Sequence, residues 1–260
     1  MKAVEDTLRR IFPALLCALR FLTVLPLPWW QKRDGELFRQ SVLAFPAVGL
    51  VIGLAAAGLA WPLSSLLPPA LLAWSVVFYL SGISGFLHLD GLADSADGLL
   101  SSRNRERALA IMKDSRSGSM AVAVVVLVLL GKFAAASGLA ARSASLLPAL
   151  VIVPLTGRVG ICLTMAILPY AREGEHGIGG LFYSPLARKA AVIGLALLAV
   201  TGFALCGPAI LQIIFTSFTV TLLFAWFCKR KIGGATGDTL GATCELTELA
   251  ALAACAVSFS

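Results

Sequence analysis

Charge is missing from two long stretches of this chain, and those gaps govern what it can fold into. No Asp, Glu, Lys or Arg occurs in the fifty residues between Arg39 and Asp90, or in the thirty-nine between Lys189 and Lys229. A transmembrane helix needs about 20 apolar residues, so each gap has room for a helical hairpin of two spans and a turn. The composition agrees. Charged residues make up 13% of the chain and hydrophobic ones 58%, whereas a soluble domain carries roughly a quarter charged residues. Disorder is excluded by the same values, and six cysteines in 260 residues are too sparse for a disulfide scaffold. The sequence therefore reads as an all-α polytopic transmembrane bundle. It forms one integral-membrane unit over residues 1–260, with no internal repeat.

Spans are expected at about 42–62, 70–87, 118–141, 143–170, 190–207, 209–228 and 243–260, seven in all with a range of six to eight. With the N-terminus inside, segments 1–41, 88–117, 171–189 and 229–242 hold eighteen of the twenty-one Lys and Arg. Basic residues collect on the cytoplasmic face, so the N-terminus is expected there and the C-terminus outside. The net charge of +7 then reflects orientation in the bilayer, and nucleic acid is not an expected partner. Residues 5–28 read as an interfacial amphipathic helix, with no cleavable signal. Gly49 and Gly53, four residues apart, suit close helix packing. Lys132 and Arg158 fall inside expected spans, where a cation costs about 2.5–3.5 kcal/mol on insertion scales. Lys132 is expected to snorkel or pair within the bundle, and Arg158 is assigned to substrate binding. The cysteines form no C-x-x-C pair and the two histidines lie far apart, which argues against zinc.

Half of the fourteen acids lie in three short stretches at the expected cytoplasmic ends of spans. In the first, Asp90, Asp94 and Asp97 follow at i, i+4 and i+7 and share one face of a helix. Three like charges side by side need compensation, and no lysine stands at i+4 to supply it. A hard divalent cation such as Mg²⁺ can, because it takes carboxylates together with substrate phosphates and water. A solvated acidic helix end is the plainer alternative. His88 precedes Asp90 by two residues and points away from the Asp face; it is a candidate acid/base or phosphate contact. In the second stretch, Lys113, Asp114 and Arg116 combine both signs just before a span. The two cations suit phosphate, with Asp114 to bind metal or orient Arg116. In the third, Gly233-Gly234-Ala235-Thr236-Gly237-Asp238 runs on towards Glu245 and Glu248. Its glycines let backbone N–H groups approach an anion at Thr236 and Gly237. Asp238 and Glu245, seven residues apart, share a helical face, and carboxylates at that depth need a polar cavity. Two acidic faces and nearby cations suit metal-assisted transfer of a phosphate-linked group.

These same stretches carry a resemblance. His88-Leu-Asp90-Gly-Leu-Ala-Asp94-x-x-Asp97-Gly98, Ile111-Met-Lys-Asp114-Ser-Arg116-x-Gly118 and Gly233-Gly-x-Thr-Gly-Asp238-x-Leu-Gly-Ala242-x-x-Glu245 resemble the signature of the adenosylcobinamide-GDP ribazoletransferase, or cobalamin synthase, family. Arg158 and Leu168-Pro-Tyr-Ala-Arg172 resemble it too, and the likeness runs from about Phe21 to Glu248. It implies a Mg²⁺-dependent enzyme of the inner membrane, with its active site facing the cytoplasm. Such an enzyme joins adenosylcobinamide-GDP to α-ribazole or α-ribazole 5′-phosphate and releases GMP. By that implication Asp90, Asp94, Asp97 and Asp238 hold metal, while Asp94, Asp97, Asp238, Glu245 and His88 serve catalysis. Lys113, Asp114, Arg116, Arg158, Thr236 and Gly237 then contact substrate, with the bilayer as a further partner and an oligomer left open. Two other classes compete. One is a different Mg²⁺-dependent membrane transferase, of the CDP-alcohol phosphotransferase or polyprenyl transferase type, whose Asp spacings differ. The other is a cation-coupled transporter, which needs ionisable groups near the midplane.

Overall fold

The computed structural model describes residues 2–27, 34–114, 116–172 and 178–259. The described chain is helical throughout: α1 (Lys2–Leu22), α2 (Asp34–Ser41), α3 (Phe45–Leu63), α4 (Pro69–Gly82), α5 (Leu87–Leu99), α6 (Arg105–Ile111), α7 (Ser119–Ala140), α8 (Ser143–Ile167), α9 (Ile178–Leu181), α10 (Leu186–Cys206), α11 (Ala209–Ile232) and α12 (Gly237–Ser258). Six of these are long and apolar enough to cross a membrane, and a seventh span results if α4 and α5 count as one broken crossing. The chain is a polytopic membrane protein. Side chains such as Trp61, Leu66, Leu127, Phe215 and Trp226 are exposed, as a surface solvated by lipid tails requires.

Helix α8 is the centre of the bundle. In its most apolar stretch 83% of residues are buried, and in α12 72%, against 22% in α7 and 28% in each of α10 and α11. Glycine explains how α3 reaches this centre. A Cβ at Gly49 would lie 2.6 Å from the Pro154 carbonyl oxygen, and one at Gly53 would lie 2.5 Å from that of Val151. The backbones thus touch directly, the small-residue packing expected from that spacing.

The second expected span, 70–87, is not one straight helix. Helix α4 ends at Gly82, and the axis turns by 82° before α5 begins. Gly85 and Phe86 both adopt the left-handed conformation, with φ of 61° and 62°. A Cβ at Gly85 would also press on Val24 at 2.9 Å. Two consecutive left-handed residues cannot continue a right-handed helix, and the break lets α5 lie along α12. The last span likewise starts earlier than the expected residue 243. Thr236 caps α12, its hydroxyl accepting from the Thr239 N–H while the Thr239 hydroxyl accepts from the Thr236 N–H. Asp238 therefore sits in the first helical turn, not in a loop.

Helix α1 overlaps the expected interfacial segment 5–28, although residue 28 and the side chains up to residue 11 lie outside the described residues. Its last turns pack into the bundle. Ala18 and Leu22 are fully buried in the main core, and Phe21 stacks against Phe45.

Candidate active site

Two glycines bring the first and third acidic stretches together. A Cβ at Gly91 of α5 would stand 2.6 Å from the Asp238 carbonyl oxygen. One at Gly241 of α12 would stand 3.1 Å from that of His88. The two helices therefore meet backbone to backbone, running in opposite directions. That contact puts Asp90 and Asp238 on one cavity with Arg172, and Asp94 feels Asp90 and Asp238 as like charges and Arg172 as an opposing one.

Arg172 arrives by a non-local route. Ala171 N–H donates to the Ala235 carbonyl at 2.8 Å, and Ala235 N–H donates to that of Pro169 at 2.9 Å. This short parallel bridge pins the start of the α8–α9 connection against the glycine-rich approach to α12. Gly234 is required here, because any Cβ would run into the Pro169 carbonyl. The bridge aims the Arg172 Nη2 at Asp238 Oδ2, 2.9 Å away. The same carboxylate oxygen accepts from the Thr236 hydroxyl at 3.3 Å. Arg172 Nε is buried with no partner among the described residues, so the guanidinium retains a donor for a ligand.

The remaining residues singled out from the sequence lie in separate settings. Asp97 is turned towards α7: its Oδ2 accepts from Gly118 N–H at 2.5 Å and its Oδ1 from Ala121 N–H at 2.9 Å. It satisfies orphan donors at that helix start. Asp114 and Arg116 pair with each other at 2.6 Å on an exposed surface, and the Arg116 fork holds the Asp114 carboxyl down at about 2. Lys113 lines a polar cavity of about 420 Å³ together with Arg105 and Arg172. Arg105 is itself locked in place, donating to the carbonyls of Ile232 and Ala171 at 2.8 and 3.0 Å.

Glu245 and Arg158 belong to a separate interior network. Lys132 Nζ donates to Glu245 Oε2 and Glu248 Oε2, each at 2.7 Å, and Arg158 pairs with Glu248 Oε1. All four side chains are at most 3% exposed. Two cations and two anions cancel, which is the condition for burying charge in an apolar bundle. Lys132 pairs within the bundle, as expected. Glu245 lies seven residues beyond Asp238 on α12, about 10 Å along the axis at 1.5 Å per residue. It meets Lys132, not the carboxylates of the mouth, and Arg158 does likewise with Glu248. His88 is buried and borders a second cavity with Asp90, Arg172 and Asp238. Among the described residues no three His, Cys, Asp or Glu side chains converge as a ready metal cage.

Arg172 and Arg105 are the functional candidates that residue-by-residue reading missed. Arg172 was visible only as the end of the Leu168–Arg172 stretch. Its pairing with Asp238 depends on a backbone bridge between segments more than sixty residues apart.

A polytopic helical bundle whose mouth joins carboxylates to basic side chains defines the class: an integral-membrane enzyme. Comparison with known proteins narrows it. The family model for cobalamin-5-phosphate synthase matches residues 14–256, and the chain belongs to that family. A relative from Pseudomonas aeruginosa PAO1 is 40% identical over 255 residues, covering 96% of this chain and all of the relative. One from Syntrophobacter fumaroxidans is 37% identical over 246 residues, covering 93% of this chain and 97% of its own. One from Brevibacillus brevis is 36% identical over 239 residues, covering 92% and 96%. All three are named adenosylcobinamide-GDP ribazoletransferase. No solved structure matches the chain.

Proposed function

We propose that the chain is an adenosylcobinamide-GDP ribazoletransferase and that the mouth between α5, α12 and Arg172 is where the group is transferred. In this reaction a ribose hydroxyl that is free both in α-ribazole and in its 5′-phosphate attacks the phosphorus bound to cobinamide. The new P–O bond forms as the bond to the leaving phosphate breaks, and GMP departs with the attacking group's proton released. The observation that carries the reading is the α5–α12 contact that puts Asp90, Asp238 and its partner Arg172 on one cavity, one helical turn from Asp94. A transporter would need such groups linked to both sides, and the alternative transferases have different Asp spacings.

The residues fit a substrate-borne Mg²⁺ better than a protein-caged one. Their donors are hard carboxylate oxygens, and Mg²⁺ characteristically takes one or two of these and completes its shell with phosphate oxygens and water. Asp90 and Asp94 would hold it, with Asp238 facing them. Bound there, the ion would neutralise diphosphate charge. Arg172, anchored by Asp238, offers its free Nε–H to a phosphate oxygen. Arg105 and Lys113 add positive charge to the neighbouring cavity, which suits the anionic nucleotide end of the donor. This mouth is proposed to face the cytoplasm, because the loops around it carry most of the basic residues, and the membrane to be the inner one.

The test uses the protein purified into lipid. Supplied with adenosylcobinamide-GDP, α-ribazole and Mg²⁺, it should release GMP and a completed corrinoid in equal amounts. Release of GMP without the corrinoid would mean hydrolysis, and release of neither would reject the reading.

A further inference from the structure

We infer that the aromatic cavity beside the carboxylates is the seat for the acceptor's fused-ring base, an inference that rests on the transferase reading above. The cavity has a volume of about 300 Å³, at the small end of the range for nucleoside-sized ligands. A corrinoid, with its macrocycle and amide arms, is far too large to enter it.

Its lining is of two kinds. Phe21, Phe45 and Phe182 are apolar, with Ile161 and Met165 of α8 beside them. The three rings touch one another: Phe21 to Phe182 at 4.5 Å between centroids, Phe45 to Phe182 at 5.4 Å and Phe21 to Phe45 at 6.2 Å. Phe45 and Phe182 are each 2% exposed, so they back the wall, and the half-buried Phe21 is the ring presented to the cavity. The polar part of the lining is His88, Asp90, Arg172 and Asp238. A flat ring system laid against the apolar part therefore brings its ribose towards the carboxylates and the arginine.

The same division decides which base enters. Guanine presents several edge donors and acceptors, and the apolar part of the lining offers them nothing, so each would be desolvated there without a partner. A methylated benzimidazole has an apolar edge and one free ring nitrogen, and loses little there. The nucleotide half of the donor has a better place, since Arg172 also lines the basic cavity with Arg105 and Lys113. One arginine thus stands between an apolar chamber for the acceptor and a basic one for the donor.

The experiment measures binding and turnover separately. Phe21→Leu removes the ring presented to the cavity and Phe182→Leu the ring that backs it, both keeping the site apolar, and melting in detergent checks that each variant folds. Calorimetric titration of the wild type with α-ribazole alone should show binding that both variants weaken by about tenfold, which is 1.4 kcal/mol. In the assay, KM for α-ribazole should rise correspondingly while KM for adenosylcobinamide-GDP stays within about twofold. Guanosine should not compete with α-ribazole for binding. Equal weakening of both substrates, an effect on the donor alone, or effective competition by guanosine would overturn the assignment. So would the absence of ribazole binding by the wild type. Ribazole binding that depends on Phe182 in a protein without turnover would support the base site and count against the transferase reading only.

Discussion

Asp94 and Asp97 stand three residues apart on α5 yet face different tasks. Asp94 feels the charges of Asp90, Asp238 and Arg172, whereas both oxygens of Asp97 receive N–H groups from the start of α7. Asp97 thus acts as a cap supplied by another helix, and capping side chains contribute about 1 kcal/mol. Asp97→Ala should lower stability by about that amount, read as a lower melting temperature in detergent, and Asp97→Asn should recover part of it through its remaining carbonyl. Unchanged melting in both variants with activity abolished would instead make Asp97 a direct ligand. The distinction was not legible in the sequence. The i, i+4, i+7 spacing puts all three acids on one face but says nothing about which neighbour that face meets.

Between elements, the α5–α12 contact sets the geometry of the site, and Gly91 is its closest point. Gly91→Ala brings a methyl within 2.6 Å of the Asp238 carbonyl oxygen, so α5 must move. Overpacking of this kind costs about 1–3 kcal/mol, and turnover should fall with it. Gly58→Ala is the control, since nothing lies within 4 Å of that Cβ; equal behaviour of the two variants would discount the contact. The interior ion network makes a second prediction. Lys132→Met leaves Glu245 buried without its cation and should cost about 3–5 kcal/mol, seen as lost yield. Lys132→Met combined with Glu245→Gln removes both charges, leaves Arg158 with Glu248, and should restore yield and turnover. Restored yield without turnover would give Glu245 a chemical role. At this scale much was legible from the charge-free gaps alone, because long apolar helices need no partner to be recognised. The α4–α5 break was not, since it uses a left-handed Phe86 that no residue preference marks. Nor was the direction of Glu245, because helical periodicity aligns it with Asp238 while Lys132 of α7 draws it into the interior.

For the whole molecule, the proposed orientation puts helix α6, the end of α11 and the start of α12 on one side of the membrane, with the α7–α8 turn on the other. Single cysteines at Glu106 and Arg230, in a cysteine-free background, should resist impermeant thiol reagents in intact cells and react after permeabilisation. A cysteine at Arg142 should react from outside. The reverse pattern would invert the molecule and put the mouth on the wrong side for the proposed reaction. The central claim, that group transfer occurs at the mouth between α5 and α12, has a more direct test. Asp→Asn keeps shape and removes charge, so each variant should insert, purify and melt like the wild type. The measurement is the initial rate of GMP release from adenosylcobinamide-GDP with α-ribazole and Mg²⁺, by lipid-reconstituted protein carrying Asp94→Asn or Asp238→Asn. The account predicts that each loses at least about a hundredfold in kcat, equivalent to about 2.7 kcal/mol of transition-state stabilisation. Near-wild-type release from both variants would contradict it.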